Sequence, residues 1–197
     1  MKSRYLRCVA QVGLLVLAAN IGALAQNWTS DRLPERFSGQ INAYTPTTTK
    51  APTGPYEIRG SWSMNLKREG TKADFSAAVN MILSDGWVLT SNVPPNPPNF
   101  DPSTRNAHTH HIWMTDADVT MLPNNVIQVV GPATVTLNGG PTPFPQQSVL
   151  TVVITGGGTG PDDVEYSNVT LTFAAPASGH FGTEPLPGVV RKVEKQR

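Results

Sequence analysis

Cysteine is nearly missing from this 197-residue chain, whose single thiol is Cys8. No intrachain disulfide can form, so packing alone must hold the fold together. A charge imbalance is missing too. Fifteen Lys and Arg stand against 14 Asp and Glu, which leaves no basic footprint for nucleic acid or an anionic membrane. No uninterrupted apolar run reaches the ~20 residues of a membrane-spanning helix. Beyond the opening segment, no stretch repeats its apolar residues at helical spacing, so helices are not expected to build the core. Gly-x-Ser-x-Gly is absent, and the acids show no spacing that marks a sugar hydrolase.

What is present begins with an export signal over residues 1–25. Lys2, Arg4 and Arg7 form a positive start without an acid, an apolar stretch follows, and Ala23-Leu24-Ala25 supplies a small-x-small cleavage site. Gln11 and Asn20 interrupt the apolar stretch. The expectation is a secreted or periplasmic protein beginning at Gln26, with no transmembrane anchor in the mature chain. Its removal takes Cys8 with it and leaves 12 basic against 14 acidic side chains.

Residues 26–55 read as a flexible leader. They end in a Thr- and Pro-rich run, Thr45 to Pro55, too poor in apolar groups to offset the entropy of ordering. The β-domain is placed at 56–193, with a charged tail at 194–197. Within it, Ile58, Gly60, Trp62, Met64 and Leu66 alternate with polar neighbours, and Phe75, Ala77, Val79, Met81 and Leu83 do the same. A turn at 68–71 joins these runs into an antiparallel hairpin. A third strand is expected at Trp87-Val88-Leu89-Thr90, and others near 107–114, 125–130, 133–138, 148–155 and 163–173. Val189-Val190 adds one edge strand. About eight strands with no helices between them predict an all-β domain, a single antiparallel β-barrel or β-sandwich. Four prolines within residues 94–98 cannot join a ladder, and the loop they stiffen leads directly to the histidines.

Three of the four histidines stand in His108-Thr109-His110-His111. On a strand, His108 and His110 share one face with Ile112 and Met114, while His111 joins Thr109 and Trp113 on the other. Two residues along a strand span ~6.6 Å, close enough for two imidazoles to converge on one ion. Zinc, or another divalent transition metal, needs at least one more protein ligand. His180 is the candidate third, and Asp116 and Asp118 are further donors. Asp116-Ala117-Asp118 and Asp162-Asp163 also have oxygen ligands for calcium, although turn aspartates bonding their own backbone are the simpler reading. The bland alternative for the histidines is an exposed strand start hydrogen-bonded to loop carbonyls. His111, Trp62 and Trp113 are candidate contacts for a small ligand.

Gly60-Ser61-Trp62 resembles the Gly-x-Trp that opens lipocalins, a family in which the Trp closes one end of an eight-stranded, ligand-carrying barrel. The likeness covers these residues and the strand count. In layout the chain also resembles exported bacterial β-proteins that have no activity to transfer. Three functional classes are weighed: a non-enzymatic module binding a small ligand or cell-envelope component, a metal-dependent enzyme using His108 and His110, and a structural or assembly protein. The first leads, with its site at the rim formed by residues 92–106 and the histidine strand. The enzyme reading is disfavoured for want of a nucleophile or an acid pair.

Overall fold

The computed structural model describes residues 34–45, 56–67, 69–83, 107–157 and 165–195. Its strands are β1 (Pro34–Tyr44), β2 (Tyr56–Leu66), β3 (Lys72–Leu83), β4 (His108–Leu122), β5 (Val126–Val135), β6 (Ser148–Gly157), β7 (Glu165–Phe173) and β8 (Leu186–Lys195), with a one-turn helix α1 (Ser178–Phe181) between the last two. Each strand pairs antiparallel with the next, and β8 pairs back onto β1, closing an eight-stranded barrel. Closure removes the sheet edges that a sandwich would leave.

Alternation along the strands sends apolar side chains inward in rows that cross the wall. One row runs Phe37, Met64, Phe75, Met114, and the next runs Gly39, Trp62, Ala77, Ile112. Small residues flank the indole in the second row. A Cβ on Gly39 would lie 1.9 Å from the Val189 carbonyl oxygen and 2.8 Å from Trp62 Nε1, so only glycine fits beside that ring. The indole N–H donates to the same carbonyl at 3.2 Å. Two further rows, Ile41, Gly60, Val79, His110 and Ala43, Ile58, Met81, His108, carry histidines into the interior. Two outward rows across β1–β4 are largely polar, Gln40, Ser61, Ala78, His111 and Asn42, Arg59, Asn80, Thr109, while Trp113, Val149 and Val189 are exposed elsewhere on the wall.

The expected β2–β3 hairpin is present, with Tyr56 to Leu66 registered against Leu83 to Ala73. Other boundaries are corrected. Residues 34–44 are not leader but β1, paired on both sides. Gly39, which has no room for a Cβ, and the small Ala43 thinned the apolar alternation that would have revealed it. Val189-Val190 is not an edge strand but the middle of β8, held between β7 and β1. β8 also runs through Glu194 and Lys195, beyond the expected limit of the domain.

The two runs at 125–130 and 133–138 are one strand, β5, which continues through Gly131-Pro132. Proline is tolerated there because the β4–β5 register shifts between Trp113 and Asp118, leaving Pro132 opposite a bulge. Asp116, at φ 54°, lies in that bulge. The third strand expected at 87–90, the proline loop and Asp162-Asp163 lie outside the described residues, as do residues 1–33.

Candidate metal centre

β4 sets the first two histidines by simple alternation. His108 and His110 are buried, whereas Thr109 is half-buried and His111 exposed. The third histidine arrives from the β7–β8 connection. α1 is only one turn long, so packing rather than helix propensity must hold it. Ala177 and Phe181 are both fully buried; the Ala177 N–H donates to Ser148 Oγ at 2.9 Å, and Phe181 stacks on Phe173 with ring centroids 4.4 Å apart. This seats His180 over the ends of the inward rows that carry His108 and His110.

The three rings converge through their Nε2 atoms. His180 Nε2 is 3.2 Å from His108 Nε2 and 3.0 Å from His110 Nε2. One donor nitrogen from each ring lies within 4.8 Å of the other two. A metal with M–N bonds of ~2.0–2.1 Å requires donor separations of roughly 2.8–3.4 Å, for angles between octahedral and tetrahedral. Both separations from His180 Nε2 fall in that range. Hydrogen bonding alone serves such a cluster poorly. An imidazole nitrogen carries either one proton or one lone pair, so His180 Nε2 can make one linear N–H···N bond, not two.

The tautomer of His110 follows from its other nitrogen. Nδ1 lies 2.8 Å from the Thr136 carbonyl oxygen, which can only accept, so Nδ1 carries the proton and Nε2 presents a lone pair to the cluster. A carbonyl partner on the far nitrogen is the usual support for a metal-binding histidine. Burial pushes the His110 pKa down to about 4; the neighbouring histidines add to that, and the Thr136 carbonyl opposes it. The ring is therefore neutral and ready to coordinate at neutral pH.

Aromatic side chains surround the cluster. The fully buried Tyr56 ring is 5.4 Å from His108 and 5.8 Å from His180, Phe181 is 5.1 Å from both His110 and His180, and Phe144 is 6.3 Å from His180. Tyr56 is fixed through its backbone, whose N–H donates to Thr45 Oγ1 while its carbonyl accepts from the Thr45 N–H, both at 2.8 Å. Sequence reasoning singled out neither these rings nor the Thr136 carbonyl. A lone tyrosine at a strand start gives no signal, and a carbonyl gives none at all.

The other candidates fall elsewhere. Asp116 pairs with Lys67, and Asp118 pairs with Lys72 at 2.5 Å. Both are far down β4 from the histidines, six residues or more at ~3.3 Å each. Lys67 holds the Asp116 carboxyl below its usual range. His111 and Trp113 lie exposed on the outer wall, whereas Trp62 is buried inside and stacks on Phe75 at 6.2 Å. Trp62 and His111 nonetheless both line one open pocket on the barrel wall, which Trp113 does not line.

The fold and the cluster together define a closed antiparallel barrel with a candidate three-histidine metal centre at one end. No known protein family, curated protein or solved structure matches this chain.

Proposed function

We propose that this protein is a transition-metal-binding barrel in which His108, His110 and His180 hold one ion and leave a coordination position for an exchangeable ligand. The convergence of the three Nε2 atoms carries the proposal, with separations of 3.0 and 3.2 Å to His180. An all-imidazole donor set suits zinc, copper, iron or nickel. Three protein ligands with a fourth position open is the arrangement of reactive rather than purely structural zinc sites. The binding-module and metal readings of the sequence then coincide, because the ligand site is the metal itself.

Packing argues against a ligand in the barrel centre. Phe37, Ile58, Met64, Met81, Ile127 and Ile154 are all fully buried members of one apolar cluster. The export signal read in residues 1–25 supports a secreted or periplasmic setting, in which no thiol of the mature chain would compete for the ion. Elemental analysis of the purified protein, followed by zinc titration, tests the reading. About one metal per chain is expected, lost when His108→Ala and His110→Ala are combined. A wild type that holds no metal and ignores added zinc, copper and nickel overturns it.

A further inference from the structure

The outer wall carries a groove that the metal centre does not use. Ser38, Ser63 and Ser76 form one outward row across β1–β3, and Gln40, Ser61 and Ala78 form the next. Over these short side chains lies an open depression of about 510 Å³, flanked by Arg191 on β8 and His111 on β4. Ser63 Oγ and Ser76 Oγ are 2.9 Å apart, so one hydroxyl donates to the other and the second keeps its proton for a ligand. Further along the strands, a depression of about 580 Å³ shares Gln40, Ser61 and Ala78 with the first and adds Asn42, Arg59 and Asn80. Asn80 Oδ1 accepts from Thr109 Oγ1 at 2.8 Å, which leaves the Asn80 amide N–H groups to donate. The two depressions make one groove, and Ser38 to Asn42 along β1 spans ~13 Å of it.

Charge and aromatic surface narrow the ligand. Arg191 is the one formal charge among the described residues lining the first depression. It is exposed and, among the described residues, has no ion pair, whereas Arg59 is already paired with Glu57. A free guanidinium fork matches a carboxylate. Trp113 continues the serine row onto β4, in register with Ser76, and is 40% exposed. Its ring therefore sets an apolar face at the edge of a groove of hydroxyls and amides. A sugar ring presents both chemistries, hydroxyls at its rim and C–H groups on its face. The closed barrel has no free edge for an extended peptide, and the nearly balanced charge of the chain does not suit a nucleic-acid backbone. We propose that this groove binds an acidic oligosaccharide. A uronate carboxylate sits on Arg191, ring hydroxyls meet the serines, Gln40 and Asn80, and one ring face lies on Trp113. The site is separate from the metal centre, because His111 and His110 face opposite sides of β4.

The test is calorimetric titration of the purified protein with four probes: trigalacturonate, its uncharged methyl ester, a triglutamate peptide and inorganic phosphate. One trigalacturonate per chain is expected, bound at least about tenfold more tightly than the ester, a difference of ~1.4 kcal/mol. Arg191→Ala should abolish that preference, and Trp113→Ala should weaken binding of acid and ester alike by at least about threefold. Both side chains are exposed, so both variants should unfold as the wild type does. Equal binding of acid and ester overturns the selection of an acidic ligand. Triglutamate or phosphate bound as tightly as trigalacturonate makes the groove a general anion site and overturns the sugar class. Trigalacturonate binding that neither substitution weakens puts the sugar elsewhere on the protein, and no binding of any probe removes the site; either result overturns the proposal.

Discussion

Acid should destabilise the metal-free protein through His110 in particular. The group's pKa is about 4 in the folded state against an ordinary 6.5, first because it is buried. A base whose folded pKa is depressed binds fewer protons folded than unfolded. Its contribution is therefore complete above pH ~6.5 and is lost as pH falls toward 4. Within that window the slope approaches 1.36 kcal/mol per pH unit. Between pH 7 and pH 4.5 the loss from this one group is about 2–3 kcal/mol. With a urea m-value of ~2 kcal/mol/M, the unfolding midpoint drops by about 1 M from this cause. Carboxylates also titrate in this range, so the informative quantity is a difference. His110→Leu removes the titration and keeps the site apolar, at the cost of the bond to Thr136. The acid-induced loss in chelator-treated His110→Leu should be smaller than in wild type by that same 2–3 kcal/mol. Equal acid sensitivity in the two proteins would refute the claim that burial keeps His110 neutral.

Three substitutions separate the roles of wall, plug and surface. Gly60→Ala would place a Cβ 2.0 Å from the Ala78 carbonyl oxygen and 2.7 Å from Val79 Cα; the β3 backbone must yield, and thermal unfolding should show a loss of about 1–3 kcal/mol. Phe181→Ala removes the ring that seats α1 against Phe173, costing about 3–5 kcal/mol in denaturant unfolding and weakening zinc binding through the loosened His180. His111→Ala, on the exposed side of β4, should change stability by no more than about 0.5 kcal/mol and leave zinc affinity unchanged in calorimetric titration.

How much of this was legible in the chain varies by element, for physical reasons. The β2–β3 hairpin announced itself because Trp62, Met64, Phe75 and Met81 are large apolar residues at strict two-residue spacing. β1 was hidden because closing the barrel beside Trp62 demands Gly39, and a glycine dilutes the very alternation that marks a strand. β5 looked broken at Gly131-Pro132, since proline ordinarily ends a ladder; the register shift opposite it exists only in the paired sheet. At the site, alternation alone separated His108 and His110 from His111. The meeting with His180, about 70 residues further along the chain, depends on how a four-residue helix packs. No local pattern encodes that distance. The support from Tyr56, Phe181 and the Thr136 carbonyl was invisible for the same reason.

The most direct test of the metal centre is X-ray absorption at the metal edge of the zinc-loaded protein, recorded beside His180→Ala. Three imidazole scatterers with zinc–nitrogen bonds of ~2.0–2.1 Å, falling to two in the variant, is the predicted result. A wild-type shell of water and carboxylate oxygens, or one that His180→Ala leaves unchanged, would contradict it.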